Sequence, residues 1–267
     1  MKIIDKNVLI TGGASGIGKI MGKIALDKGA KSLIIWDVNQ ASLDATALEF
    51  NSRERVHTYK VDITNSDLVA TTYQRVKDEC GNVDILINCA GIVRGNNTFD
   101  QQTIQDIRLT FEVNTIAPMV ITQLILPDML QRNCGHICNI ASAGGMLGNP
   151  KMSVYGASKW AVIGWSESMR IELQQRKANV HVTTVAPYFI STGMFQGVRS
   201  IFPILKPEPT AKKIIRAIER NTIFAGIPFG YHFIRFWQAI LPLRVFDWLF
   251  GTVFGIYRTM DHFTGRK

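Results

Sequence analysis

Short β-branched runs and longer helical patterns alternate along most of this chain. NVLIT (7–11), SLIIWD (32–37), RVHTYKVDI (55–63), VDILINCAG (83–91), GHICNIAS (135–142) and VHVTTVAP (180–187) predict strands, and TIFAGIP (222–228) predicts a seventh. The first six are nearly continuous in apolar content, as strands buried on both faces should be. Helical stretches fall between them, at about 16–29, 40–51, 66–80, 101–131, 153–177 and 210–221. Such alternation builds βαβ units with right-handed crossovers. The expected fold class is α/β, a doubly wound parallel sheet with helices on both faces.

The alternation stops at residue 228. Residues 229–267 hold eleven aromatic residues, from Phe229 to Phe263, and five basic residues against two acidic ones. The expected organisation is a dinucleotide-binding and catalytic domain over 1–228 followed by an aromatic-rich C-terminal extension over 229–267. Arginines among tryptophans and phenylalanines suit a membrane surface, and they suit a subunit interface equally.

Composition narrows the classes. The chain has 267 residues, 46% hydrophobic and 19% charged, enough for one large core. The formal net charge of +9 favours acidic partners, but the basic residues of the first 220 positions are scattered, without an aromatic-interleaved basic run. No nucleic-acid partner is expected. MKIIDKNVLIT runs straight into a glycine-rich turn without a small-residue cleavage site, and no run reaches about 18 uncharged apolar residues. The expectation is a cytoplasmic protein with possible peripheral membrane contact. Cys134, His136 and Cys138 fall on a strand with no second pair to complete four ligands, so no metal is expected.

LITGGASGIGKIMG directly follows the first strand and opens a helix. Gly12, Gly16 and Gly18 let the backbone turn tightly and approach a pyrophosphate at the helix N-terminus. Asp37 ends the second strand, 19 residues after Gly18, where a carboxylate binds adenosine ribose hydroxyls and repels a 2′-phosphate. Ala14, Ser15 and Val38 supply no cation for that phosphate, and Lys19 is expected to face away. NAD is favoured over NADP.

TGGASGIG at 11–18, NCAG at 88–91, Asn114, Ser142 and the Tyr155-xxx-Lys159 pair together resemble the short-chain dehydrogenase/reductase family, over residues 5–228 and in its order and spacing. The resemblance implies a Rossmann fold and a dinucleotide held by Gly12, Ser15, Gly16, Ile17, Gly18 and Asp37. It places Asp62 and Ile63 at the adenine and Asn88, Ala90 and Gly91 along the cofactor's middle. Tyr155, Lys159, Pro187, Ile190 and Thr192 complete the set, with Thr192 on the nicotinamide carboxamide. Tyr188 stands where the family's PGxxxT segment has glycine, which leaves the backbone shape there open. IIWDVN (34–39), STGMFQG (191–197) and LP (241–242) are similar to the branch acting on retinoids, steroids and other lipophilic alcohols. The N-terminal anchor frequent in that branch is not expected here.

Positions i and i+4 share a helix face, so Tyr155 and Lys159 should point into one cleft. Oxidising an alcohol requires a base for its hydroxyl proton. Free tyrosine, near about 10, is too weakly acidic to serve at neutral pH. A nearby ammonium and an oxidised nicotinamide both favour the phenolate. Tyr155 is the expected general acid/base, and Ser142 holds the substrate oxygen. The resemblance makes Asn114 a relay that holds a water linking Lys159 to solvent. Met194 and Phe195 lie in a loop at about 190–209 read as a mobile lid over an apolar cleft, giving a lipophilic substrate. A homo-oligomer, dimer or tetramer, is expected. Two rivals stand: a soluble 3-oxoacyl thioester reductase, and a non-catalytic NAD-sensing protein.

Overall fold

The computed structural model describes residues 1–52, 54–95 and 97–265. Seven parallel strands form one sheet in the order β3-β2-β1-β4-β5-β6-β7. They are β1 (Asn7–Thr11), β2 (Ser32–Asp37), β3 (Val56–Lys60), β4 (Ile85–Asn88), β5 (Gly135–Ile140), β6 (Val180–Pro187) and β7 (Phe224–Ile227). The order reverses between β1 and β4, and in open α/β sheets the crevice at such a reversal is where ligands sit.

Strand side chains alternate between two cores. Val8, Ile10, Leu33, Ile35, Ile85 and Ile87 face one layer, where they meet α1 (Gly16–Asp27) and α7 (Pro207–Glu219) through Met21, Ala25, Ile214 and Ile218. Leu9, Ile34, Trp36, Leu86 and Ile137 face the other. There α3 (Ser66–Cys80), α5 (Ala117–Gln131) and α6 (Ser153–Gln175) contribute Val69, Val76, Ile121, Ile125, Met169 and Leu173. Each fully buried aliphatic side chain stabilises the fold by about 1.5–3 kcal/mol before ordering costs. α2 (Gln40–Phe50) and α3 start at Asn39 and Asn65, whose side chains accept from Ser42 N and Leu68 N, both at 3.0 Å.

The stretch expected as one helix over 101–131 is interrupted. α4 (Ile104–Phe111) joins α5 through a π-helical turn, Glu112–Ile116. Among the described residues, Ile104–Gln131 is the one stretch long and apolar enough by length and composition to cross a membrane. Here it packs in the body of the fold, with Ala117, Ile121, Ile125 and Met129 buried. α7 begins at Pro207, earlier than the expected 210, because proline is tolerated in a first helical turn.

The C-terminal segment runs through α8 (Ile234–Ile240) and α9 (Leu243–Phe246) into a π-helical turn at Asp247–Val253. Its inward residues Tyr231, Ile234, Phe246, Ile256 and Met260 are buried in a third cluster past the carboxyl ends of the strands. That cluster includes Tyr155, Met146, Tyr188 and Phe189.

Candidate active site

The first strand-to-helix turn is shaped for a close-lying phosphate chain. Gly12 and Gly16 have φ of +66° and +54°. A Cβ on Gly12 would meet Ala90 Cα at 2.9 Å, and one on Gly18 would sit 2.3 Å from the Gly12 carbonyl oxygen. Only glycine fits these positions. The first turn of α1 carries no acidic residue of its own, whereas α3 and α4 hold Asp67 and Asp106 there. Thr11 Oγ1 accepts from Cys89 N and Ala90 N at 3.1 and 3.2 Å, joining the ends of β1 and β4 across the crevice.

Asp37 closes the adenosine end. Its Oδ2 accepts from Ala14 N at 3.2 Å and its Oδ1 from Asn39 N at 3.1 Å, which orients the carboxylate beside the glycine turn. Lys19 turns away to pair with Glu49 at 2.6 Å. Thr192 stands over the turn, 3.6 Å from where a Gly16 Cβ would lie. The set fits a dinucleotide, with glycine clearance for the pyrophosphate and a carboxylate for ribose hydroxyls.

Other expected cofactor residues have partners of their own. Asp62 caps the turn after β3, accepting from Thr64 N and Thr64 Oγ1 at 3.0 and 2.7 Å. Ile63 is buried in the second core and Ile17 packs against the first. Asn88 turns its amide inward, donating to Thr122 Oγ1 and Asn139 Oδ1 at 3.1 and 2.8 Å. Its backbone is what remains to line the crevice with Ala90 and Gly91. Ile190, past Pro187 at the end of β6, bridges to Leu205.

Four expected catalytic side chains converge beyond β4 and β5. Ser142 Oγ accepts from Gly144 N at 3.1 Å, and it and the Tyr155 ring both lie 3.6 Å from where a Gly144 Cβ would stand, so it caps its turn on the side of the phenol. Lys159 Nζ lies 5.9 Å from the Tyr155 ring centroid and donates to the Ile140 carbonyl at 2.9 Å. Asn114 sits in the π-helical turn, 1% exposed. It clamps Ile92, accepting from its N at 2.8 Å and donating to its O at 2.9 Å, and its Nδ2 also reaches Ser158 Oγ at 3.1 Å. A Cβ on Gly91 would fall between Asn114 Oδ1 and Lys159 Nζ, at 3.2 and 3.5 Å.

Burial dominates the electrostatics of the chain by itself. It pushes the Tyr155 phenol up to about 12, opposed by the nearby Ser142 hydroxyl, and pushes Lys159 down to about 8. The ammonium alone does not make the phenol more acidic. Added positive charge or further hydrogen-bond donors at the phenol oxygen would lower it.

An apolar cavity, narrow in the chain alone and open to solvent on one side, lies beside this quartet. Leu147, Met152, Tyr188, Phe189, Phe195, Tyr231 and Ile256 line it next to Ser142. Phe195 meets the Tyr155 ring edge-on at 5.9 Å, while Met194 is not part of the lining. The loop expected to be a mobile lid is closed at its neck, Ser191 N to Leu205 O at 3.0 Å, and stitched to the C-terminal segment through Arg199 N to Thr259 O and Thr264 N to Gln196 O. Tyr188 needs no left-handed backbone; it fills the cavity wall, its hydroxyl 2.7 Å from Ser200 Oγ. Sequence reasoning missed Leu147, Met152, Phe189, Tyr231 and Ile256. For Tyr188, the departure from glycine was the available signal.

A family model described as short chain dehydrogenase matches residues 6–201. The chain belongs to the short-chain dehydrogenase family. The epidermal retinol dehydrogenase 2 of Mus musculus is 38% identical over 268 residues, covering 97% of this chain and 85% of its own length. Estradiol 17-beta-dehydrogenase 11 of Homo sapiens is 35% identical over 242 residues, covering 89% of this chain and 79% of its own. This short-chain dehydrogenase thus groups with the retinol and steroid branch of the family. Two solved family members share its fold. The one from Burkholderia phymatum, in complex with NAD, has a TM-score of 0.82 at 23% identity over 91% of this chain and 96% of its own. The one from Burkholderia cenocepacia, in complex with NADP, has 0.80 at 24% over 92% and 98%.

Proposed function

We propose that this short-chain dehydrogenase transfers hydride between NAD(H) and a lipophilic alcohol or its carbonyl, with Tyr155 as the general acid/base. The observation that carries the reading is the meeting of Ser142 Oγ and the Tyr155 ring, both 3.6 Å from where a Gly144 Cβ would stand, beside an apolar cavity and with Lys159 behind the phenol. The substrate oxygen takes its place between the two hydroxyls. Tyr155 accepts the carbinol proton in oxidation and returns one in reduction, while Ser142 holds the oxygen as its charge changes. Lys159, fixed by the Ile140 carbonyl, keeps a positive charge behind the phenol. Asn114 fixes Ile92 and the crevice floor beside that lysine. The bound nicotinamide supplies hydride exchange and, when oxidised, the further positive charge that favours phenolate. Asp37 favours NAD, since a 2′-phosphate would meet a carboxylate.

The test is a panel of retinoid, steroid, fatty and small polar alcohols, each with NAD⁺ and NADP⁺. Lipophilic alcohols with NAD⁺ should be turned over best, and Tyr155→Phe should lower kcat by about 10²–10⁴-fold with the melting temperature retained. Turnover confined to small polar alcohols, or to NADP⁺, would overturn the reading.

The C-terminal segment supports a second element of this function. Phe229, Leu243 and Trp248 are 70%, 73% and 61% exposed, and Phe233, Phe236, Trp237 and Ile240 are exposed with them. The same segment lines the cavity from inside through Tyr231 and Ile256. Resting this face on a bilayer surface would bring lipophilic substrates to the cavity from the phase that dissolves them. Flotation with liposomes should carry the full chain, and replacing Phe229, Leu243 and Trp248 by serine should abolish it. Equal flotation of both proteins contradicts the membrane role.

A further inference from the structure

Both atoms of the Asn114 amide have determined partners. Ile92 N can only donate and the Ile92 carbonyl can only accept, so Oδ1 faces the first at 2.8 Å and Nδ2 the second at 2.9 Å. The second proton of Nδ2 goes to Ser158 Oγ at 3.1 Å. The Ser158 hydroxyl places its own single proton on the Tyr155 carbonyl, at 2.7 Å. Each donor thus has one definite acceptor, and the bonds run from the crevice floor to the helix turn that carries the proposed acid/base.

Ser158 stands on α6 between Tyr155 and Lys159 and is fully buried. It is not part of the cavity lining. The π-helical turn grips it twice, through Asn114 and through Thr115 Oγ1, which donates to the Ser158 carbonyl at 3.0 Å. That docking sets where Asn114 Oδ1 lies relative to Lys159. A Cβ on Gly91 would stand 3.2 Å from that oxygen and 3.5 Å from Lys159 Nζ, so the two atoms share one corner of the crevice. A carbonyl dipole there favours the ammonium. The other titratable groups around this ammonium are Tyr155 on its own helix and the Cys89 thiol after β4.

We propose that Ser158 is a positioning residue for proton transfer: by taking the second amide proton of Asn114 it keeps Oδ1 beside Lys159, and with it the positive charge behind the Tyr155 phenol. The proposal rests on the reading of Tyr155 as the acid/base. Without the hydroxyl, a buried amide proton loses its acceptor, and that is costly. The amide turns to find another, which carries Oδ1 from its place beside Lys159. Burial already holds that lysine down at about 8, so its charge is sensitive to the loss of one acceptor. A weaker ammonium leaves the phenol less acidic, and the base needed for oxidation then forms at higher pH.

Profiles of kcat against pH, for a lipophilic alcohol at saturating NAD⁺, test this with the full chain. Ser158→Ala should lower kcat at neutral pH about three- to tenfold, with the KM for the alcohol within about twofold. The ionisation in kcat should move upward by about half a pH unit or more. Ser158→Cys keeps a weak donor and acceptor, so it should fall between the two proteins, and it carries the test if the alanine variant does not fold. Thr115→Val removes the other bond to Ser158 and spares the amide; it should lower the melting temperature without moving the ionisation. Superposable profiles for Ser158→Ala and the unsubstituted protein, a loss confined to KM, or an equal shift in Thr115→Val would overturn the proposal. Tyr155→Phe tells the two readings apart. If it keeps the ionisation, the acid/base reading falls and the proposal with it. If it removes the ionisation while Ser158→Ala leaves it in place, the proposal alone falls.

Discussion

The two sides of the proposed active site are built in different ways. The cofactor side is made of backbone, glycine clearance and one carboxylate, supplied by turns between adjacent elements. The substrate side is made of side chains from the segment after β5, from α6, from the loop after β6 and from the C-terminal segment. A dinucleotide's phosphates need close, uncluttered amides, which a short local motif can supply. An apolar ligand needs enclosing surface, which only distant segments folded together can supply. The comparison teaches that the C-terminal segment works as a wall of the site through Tyr231 and Ile256.

The strongest attempt to break this contrast is Phe246→Ala. Phe246 is 5% exposed and stacks on Phe250 at 4.4 Å, in the cluster that also holds Tyr155. Truncation should cost about 3–5 kcal/mol in a urea melt. Substrate KM should rise while NAD affinity, read by fluorescence titration, stays within about twofold. A parallel loss of both would show that the two sides are not separable.

Lys159→Met probes the seam between them. Burial holds Lys159 at about 8 against an ordinary 10.5. Between those values the unfolded chain keeps a proton that the folded chain has released, so stability should rise with pH over that window. The whole shift corresponds to roughly 3 kcal/mol. The buried thiols of Cys89 and Cys138, pushed up by burial from 9.0, work in the opposite sense above about pH 9, and Tyr155, raised from 10.0 to about 12, does so above about pH 10. Melts of the cofactor-free protein should show the rise between pH 8 and 9, and Lys159→Met should flatten it while abolishing turnover. A rise that survives the substitution would assign it to another group.

Asp37→Ala addresses the cofactor side alone and should have the smallest effect. The ratio of kcat/KM with NAD⁺ to that with NADP⁺ should fall by about tenfold, with the order among alcohol substrates unchanged. An unchanged cofactor ratio would remove Asp37 from the ribose site.

Sequence and structure agree most closely where the information is local. The strands at 7–11, 32–37 and 180–187 and the helix at 66–80 have the expected bounds, because continuous apolar runs and asparagine caps are read over a few residues. The glycine turn and the Tyr155–Lys159 spacing are local in the same way. The π-helical turn around Asn114 was not legible, because one extra residue in a helical turn leaves no mark in composition. An apolar cleft under the 190–209 loop was expected, but most of its lining was not legible, since it joins positions 142–152, 188–195, 231 and 256. In the C-terminal segment, composition showed how many aromatic residues there are but not which way they face. Phe246 and Tyr231 turn inward, whereas Phe229 and Trp248 turn out.

The pH profile of alcohol oxidation tests the proton chemistry most directly. In the chain alone Tyr155 stays protonated up to about 12, so the base needed for oxidation exists only once added positive charge or further hydrogen-bond donors favour the phenolate. With saturating NAD⁺ and a lipophilic alcohol, kcat should rise with pH through a single ionisation and level off below about pH 10, and Tyr155→Phe should remove that rise along with nearly all turnover. A rate that is flat across this range, or a pH dependence unchanged in Tyr155→Phe, would contradict the account.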